Sequence, residues 1–127
     1  MNFARLLAPF AATALLLSSN GAVEGADAPP YASSRMNYRI YGRDLGDPGP
    51  ATSTDAKLSV FVDGKAAKEL FDRLGKDRYD ACTDGQNVRV RVAPGQQLRC
   101  QREADATYNC TFGLDLKTGR PIPGSVC

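Results

Sequence analysis

Between Leu98 and Leu116 the chain reads LRCQREADATYNCTFGLDL, with apolar residues at every second position on either side of a polar run. Leu98 and Cys100 share one face of a first strand, and Tyr108, Cys110, Phe112, Leu114 and Leu116 share one face of a second. The run Arg102 to Ala106 has no apolar period and supplies the turn, which sets Cys100 roughly opposite Cys110 on the buried side. The same reading finds three further strands. Met36 to Gly42 carries Tyr and Ile in a β-favouring setting, Lys57 to Val62 places Leu58, Val60 and Val62 on one face, and Asn87 to Val92 alternates Val88, Val90 and Val92 with Arg89 and Arg91.

One segment changes period. From Lys65 to Leu74, Ala66 or Ala67, Leu70, Phe71 and Leu74 fall on one side of a helix. Asp63 is placed to cap its start and Gly75 to supply a left-handed stop. So short a helix is marginal alone in water, so its apolar side must be buried against the sheet.

The sum is an α+β domain of order β-β-α-β-β-β: an antiparallel sheet of about five strands, one helix packed on one face, and the other face wet. On that reading Arg89, Arg91 and Arg99 share the solvated face. Gly42 to Ala56, rich in Gly, Pro and Asp, reads as one long loop, and 22–35 as a disordered leader.

The N-terminus adds a location. One positive charge at Arg5, an apolar run to Leu17 and small residues through Gly21 or Ala22 make 1–21 a secretory signal peptide, since a membrane-spanning helix needs about 20 apolar residues. The domain is then 36–127. All four cysteines lie beyond the cleavage point, which in an oxidising compartment predicts two disulfides. The hairpin favours Cys100 with Cys110, leaving Cys82 with Cys127, although four cysteines permit three pairings. On the loop-entropy model the first stabilises by roughly 3 kcal/mol and the second by about 4 kcal/mol.

Charge and composition mostly exclude. After cleavage 15 basic residues face 14 acidic ones, a net charge of +1, and no aromatics are interleaved with the arginines, which argues against nucleic acid as a partner. The chain has no His, hence no imidazole base, no Ser-His or Cys-His pair and no His-ligated metal. Asp77, Asp80 and Asp84 lack the alternating spacing and distal Glu of a calcium loop. No catalytic residue, cofactor or metal site is assigned, and the sequence does not read as an enzyme.

The pattern Gly64-Lys65-Ala66-Ala67-x-x-Leu70-Phe71, followed by Cys100 and then Cys110-Thr111-Phe112-x-Leu114-Asp115, resembles a group of small exported bacterial proteins to which no function is attached. The resemblance covers roughly 57–127 and implies no activity.

Two functions remain from different classes. The first is a periplasmic or secreted binding module, an inhibitor or immunity-type protein that meets an exported partner through the 42–56 loop and the adjoining sheet edge, with Tyr41, Asp44, Leu45 and Asp47 as contacts. The second is an envelope-associated structural protein resting on anionic lipid or polysaccharide through Arg89, Arg91 and Arg99.

Overall fold

The computed structural model describes residues 27–126. The segment 1–21 expected to be a signal peptide lies outside the described residues, as does Cys127 and therefore the expected pairing of Cys82 with it. Residues 27–35 have no regular secondary structure.

From residue 36 on, the elements run β1 (Met36–Asp44), β2 (Asp47–Gly49), β3 (Lys57–Asp63), α1 (Gly64–Arg73), β4 (Arg89–Val92), β5 (Arg99–Arg102), β6 (Tyr108–Asp115) and β7 (Pro121–Ile122). All pair antiparallel in the order β2-β1-β3-β6-β5-β4, with β7 continuing the line of β5 along β6. The expected five strands and helix are present. The two extra strands are the short β2 and β7.

The hairpin from β5 to β6 follows the predicted register, with Cys100 opposite Cys110 and Arg102 opposite Tyr108. The Cys100–Cys110 disulfide is formed, and no described cysteine is free. The turn closes through Glu103 N–H to Thr107 O, 2.8 Å, with Ala106 in the left-handed region. Both sulfurs sit under the helix: Val60, Val62, Ala67, Phe71, Cys100 and Cys110 form the buried core, flanked by Leu58, Leu70, Leu98 and Phe112. Phe71 packs edge-on to Tyr108, ring centres 5.3 Å apart. Burying one such side chain stabilises by about 1.5–3 kcal/mol.

The helix ends differ from the expected caps. Asp63 occupies the N-cap position, but its side chain makes no capping hydrogen bond. The left-handed residue at this corner is instead Gly64, φ +63°, where the chain turns abruptly from strand into helix. At the other end Gly75 is not left-handed; Leu74 is extended, and its N–H closes the last turn on Leu70 O and Phe71 O.

The far face is not simply wet. Residues 78–83 and the tail 123–126 lie across it, bordering a half-open cleft of about 560 Å³ lined by Arg78, Asp80, Val92, Arg99, Gln101 and Ser125 among others. The Ser59 hydroxyl donates to Gly124 O at 2.7 Å, and Thr111 Oγ1 meets Ser125 Oγ at 2.8 Å. Arg78 N–H bonds Val90 O at 2.8 Å, closing the outer edge of β4 and burying Val90.

The Gly42–Ala56 stretch is a correction too. β1 runs on to Asp44, turns at Leu45-Gly46 and returns as β2, with Gly42 opposite Gly49 and Asp44 opposite Asp47. Pro48 is accommodated because β2 is an outermost strand, where one missing N–H costs no ladder bond. A Thr52–Asp55 turn then leads into β3.

Candidate functional site

The register of β4 separates the arginines that the sequence put together. Arg91 lies opposite Cys100 and Arg89 opposite Arg102, on the helix side, whereas Arg99 lies opposite Val92 on the other face. Alternation tells two faces apart without saying which is covered, and here both are.

Arg89 and Arg91 converge on Asp77. Arg89 Nε is 2.5 Å from one carboxylate oxygen and Arg91 Nε 2.8 Å from the other. Hydrogen bonds from Arg89 first and Arg91 second hold the Asp77 carboxyl below the usual carboxylate range, and the same contact raises Arg89. Arg91 also places its guanidinium 4.2 Å from the Phe71 ring centre and donates from Nη1 to Phe71 O at 3.0 Å and Leu74 O at 3.3 Å. A cation here gives Phe71 O a second donor beside Leu74 N–H, gives Leu74 O a donor, and lies at the favourable end of the helix dipole. Arg91 therefore fastens helix to sheet.

On the other face Arg99 is held by Asp80, Nη2 to Oδ2 2.9 Å. Arg99 also donates to Gln101, whose amide reaches Glu103, and Glu103 accepts from Asn109 at 2.8 Å. Asp80 shapes its own turn as well, accepting from Cys82 N–H at 3.0 Å. Asp77 and Asp80 are thus committed to arginines on opposite faces, and no group of three metal-ligating side chains gathers among the described residues.

The β1–β2 hairpin is pinned rather than loose. Arg43 pairs with Asp47, Arg43 N–H donates to Asp55 at 2.6 Å, and Lys57 Nζ bonds Asp55 and Arg43 O. The Lys57 bond, then the Arg43 N–H, hold Asp55 low; Lys57 is correspondingly raised. Tyr41, expected as a partner contact, is 2% exposed, and burial pushes its phenol up. It is a packing residue. Asp44 and Asp47 are exposed and Leu45 half-buried.

The surface that stands out is the β1 edge just before this hairpin. Met36, Tyr38 and Ile40 lie opposite Val62, Val60 and Leu58, on the helix side of the sheet. The helix packs on β3, β5 and β6, so this strip stays open, with Met36 58%, Tyr38 65% and Ile40 53% exposed. β2 pairs with β1 only from Gly42 to Asp44, which leaves the outer edge of Met36 to Tyr41 without a strand partner among the described residues. On the opposite face Asn37, Arg39, Leu45, Ser59 and Phe61 line a cleft of about 320 Å³. The alternation of Met36, Tyr38 and Ile40 was visible in the sequence; their exposure was not, because it depends on how far the helix reaches across the sheet. A further cleft at the start of α1 is lined by Lys65, Lys68, Arg102 and Tyr108, with Lys68 paired to Asp72.

No helix among the described residues is long and apolar enough to cross a membrane. No family model matches the sequence, and no curated protein and no solved structure matches it.

Proposed function

We propose that this chain is an exported, non-enzymatic binding protein that captures another exported protein through the β1 edge. The observation that carries this reading is the strip of Met36, Tyr38 and Ile40, exposed on a strand with an open edge. An isolated apolar side chain on a surface needs no explanation, but three in register on an unpaired strand are an aggregation hazard unless a partner covers them. Export is supported by the N-terminal sequence pattern and by the Cys100–Cys110 disulfide, a bond that persists in oxidising compartments. The rest of the fold serves the edge: Asp55 and Lys57 fix the hairpin at one end of it, and the helix and disulfide hold β3 and β6 behind it.

The envelope reading needs one cationic face. Arg89 and Arg91 are paired with Asp77 on one side of the sheet and Arg99 with Asp80 on the other, so that face is not formed.

The test is affinity capture from the host's exported protein fraction with oxidised 22–127, beside a Tyr38→Lys/Ile40→Lys variant. A single stoichiometric protein retained at high salt by the parent and lost with the variant is the expected result. Equal capture by both forms would remove the β1 edge from the interaction.

A further inference from the structure

We infer that the partner engages this edge as an added β-strand whose side chains alternate apolar and acidic; the inference rests on the reading above and specifies its chemistry. An unpaired strand edge presents a row of backbone donors and acceptors, and an incoming extended segment satisfies them while its alternate side chains meet the two faces. Here the two faces differ. Facing the helix side, the newcomer meets Met36, Tyr38 and Ile40, which calls for apolar residues at every second position. On the other side it meets Arg39, exposed and opposite Ser59, beside the cleft that includes Phe61, with Arg35 at the strand's start.

No acidic residue occurs from Ala28 to Arg43, while Arg35, Arg39 and Arg43 all do, and of the three only Arg43 has a carboxylate partner among the described residues. Carboxylates on the newcomer supply the missing opposite charge, and opposite charges directly across strands are stabilising whereas like charges are not.

That charge pattern also separates this occupant from a second copy of the chain. A two-fold axis normal to the sheet sets one residue of β1 against itself. With Arg39 on the axis, two guanidinium groups face each other. With Tyr38 on it, Arg39 faces Asn37 and Arg35 faces Tyr41, so four arginines crowd one face with no carboxylate among them. The partner's free edge is limited too, because β2 occupies the line from Gly42 onward. The newcomer fits about six residues.

The experiment uses a nine-residue capped peptide alternating valine and glutamate, titrated into the oxidised protein and followed by amide chemical shifts and hydrogen exchange. Expected are new exchange protection confined to 36–41, a loss of affinity of at least about tenfold in Arg39→Glu, and recovery in that variant with a valine/lysine peptide. N-methylation of alternate peptide residues should abolish binding on one peptide edge and leave it intact on the other, as main-chain pairing requires. Equal binding of both peptides to the parent protein, shifts centred on Lys65, Lys68 and Arg102, or insensitivity to N-methylation on either edge would each overturn the inference. A dimer in sedimentation with 36–41 already protected before peptide is added would overturn it in favour of a second copy. Failure of the peptide together with capture that still depends on Tyr38 and Ile40 would leave the binding-protein reading standing and remove strand addition alone.

Discussion

Replacing Arg91 by alanine separates the two ways of reading this sheet. Were Arg91 on a solvated face, its loss would change stability by no more than about 0.5 kcal/mol. In the structure one guanidinium makes three kinds of contact in a site where its side chain is only 18% exposed. Its hydrogen bonds to Phe71 O and Leu74 O are charge-assisted, a class worth about 1.5–3 kcal/mol. Stacking at 4.2 Å over Phe71 contributes about 0.5–2 kcal/mol. The ion pair with Asp77 adds about 0–1 kcal/mol, because Asp77 is 39% exposed and solvent screens it. One group makes all three, so they overlap, and the expected loss is about 2–4 kcal/mol. In a domain of this size that lowers the melting temperature on the order of 10–20 °C. Urea unfolding followed by far-UV circular dichroism reads it directly, with Arg39→Ala as the exposed control. The midpoint should fall with an unchanged slope, while the control stays within about 0.5 kcal/mol. A small effect for Arg91→Ala, or equal effects for the two variants, would refute the assignment of Arg91 to the helix side.

Three further outcomes follow from the same contacts. Phe71→Ala should cost about 3–5 kcal/mol in urea unfolding, since the ring is fully buried between Tyr108 and two guanidinium groups. Asp77 is held below its unfolded value, so its contribution is complete above the ordinary carboxylate range, about pH 3.9, and is lost as pH falls through the lower folded value; unfolding measured from pH 2 to 7 should show a shallower acid slope in Asp77→Asn. Gly124→Ala should lift the tail from the sheet, because a Cβ there would lie 2.4 Å from Phe112 N and O, backbone atoms that cannot give way; faster amide exchange at residues 123–126 than in the parent would report it.

How much of this was legible depended on where each residue's environment comes from. The 98–116 hairpin, β3 and α1 were readable because period and burial are set within one element. The disulfide between Cys100 and Cys110 followed from the hairpin. The arginines of β4 were not readable. An Arg can lay its aliphatic stem along apolar surface and carry its charge to a partner, so an alternating Val-Arg strand is compatible with either face turned to the helix. Asp77, twelve and fourteen residues away in sequence, decides it. The Gly-Pro-Asp stretch after Gly42 gave a loop signal because its strand residues are the ones that interior strands exclude, and only an edge position admits them. Tyr41 and Tyr38 looked alike in sequence; one is buried by the hairpin that follows, the other exposed because the helix stops short of it.

The partition of the sheet also bears on how the molecule reaches its folded state. β3 joins β6 from Lys57 opposite Asp115 to Asp63 opposite Asn109, a seam between residues some fifty positions apart. The strands on one side of that seam, β1 to β3, and those on the other, β4 to β7, pair between nearer neighbours along the chain, while α1 packs on both sides of it. Loop closure makes distant pairings costlier than local ones, and the seam closes the longest loop of any strand pairing among the described residues. The Cys100–Cys110 bond lies wholly within the later half. This one bond can therefore form in a molecule whose two halves have not yet met, and a correctly formed Cys100–Cys110 bond does not by itself report an assembled core.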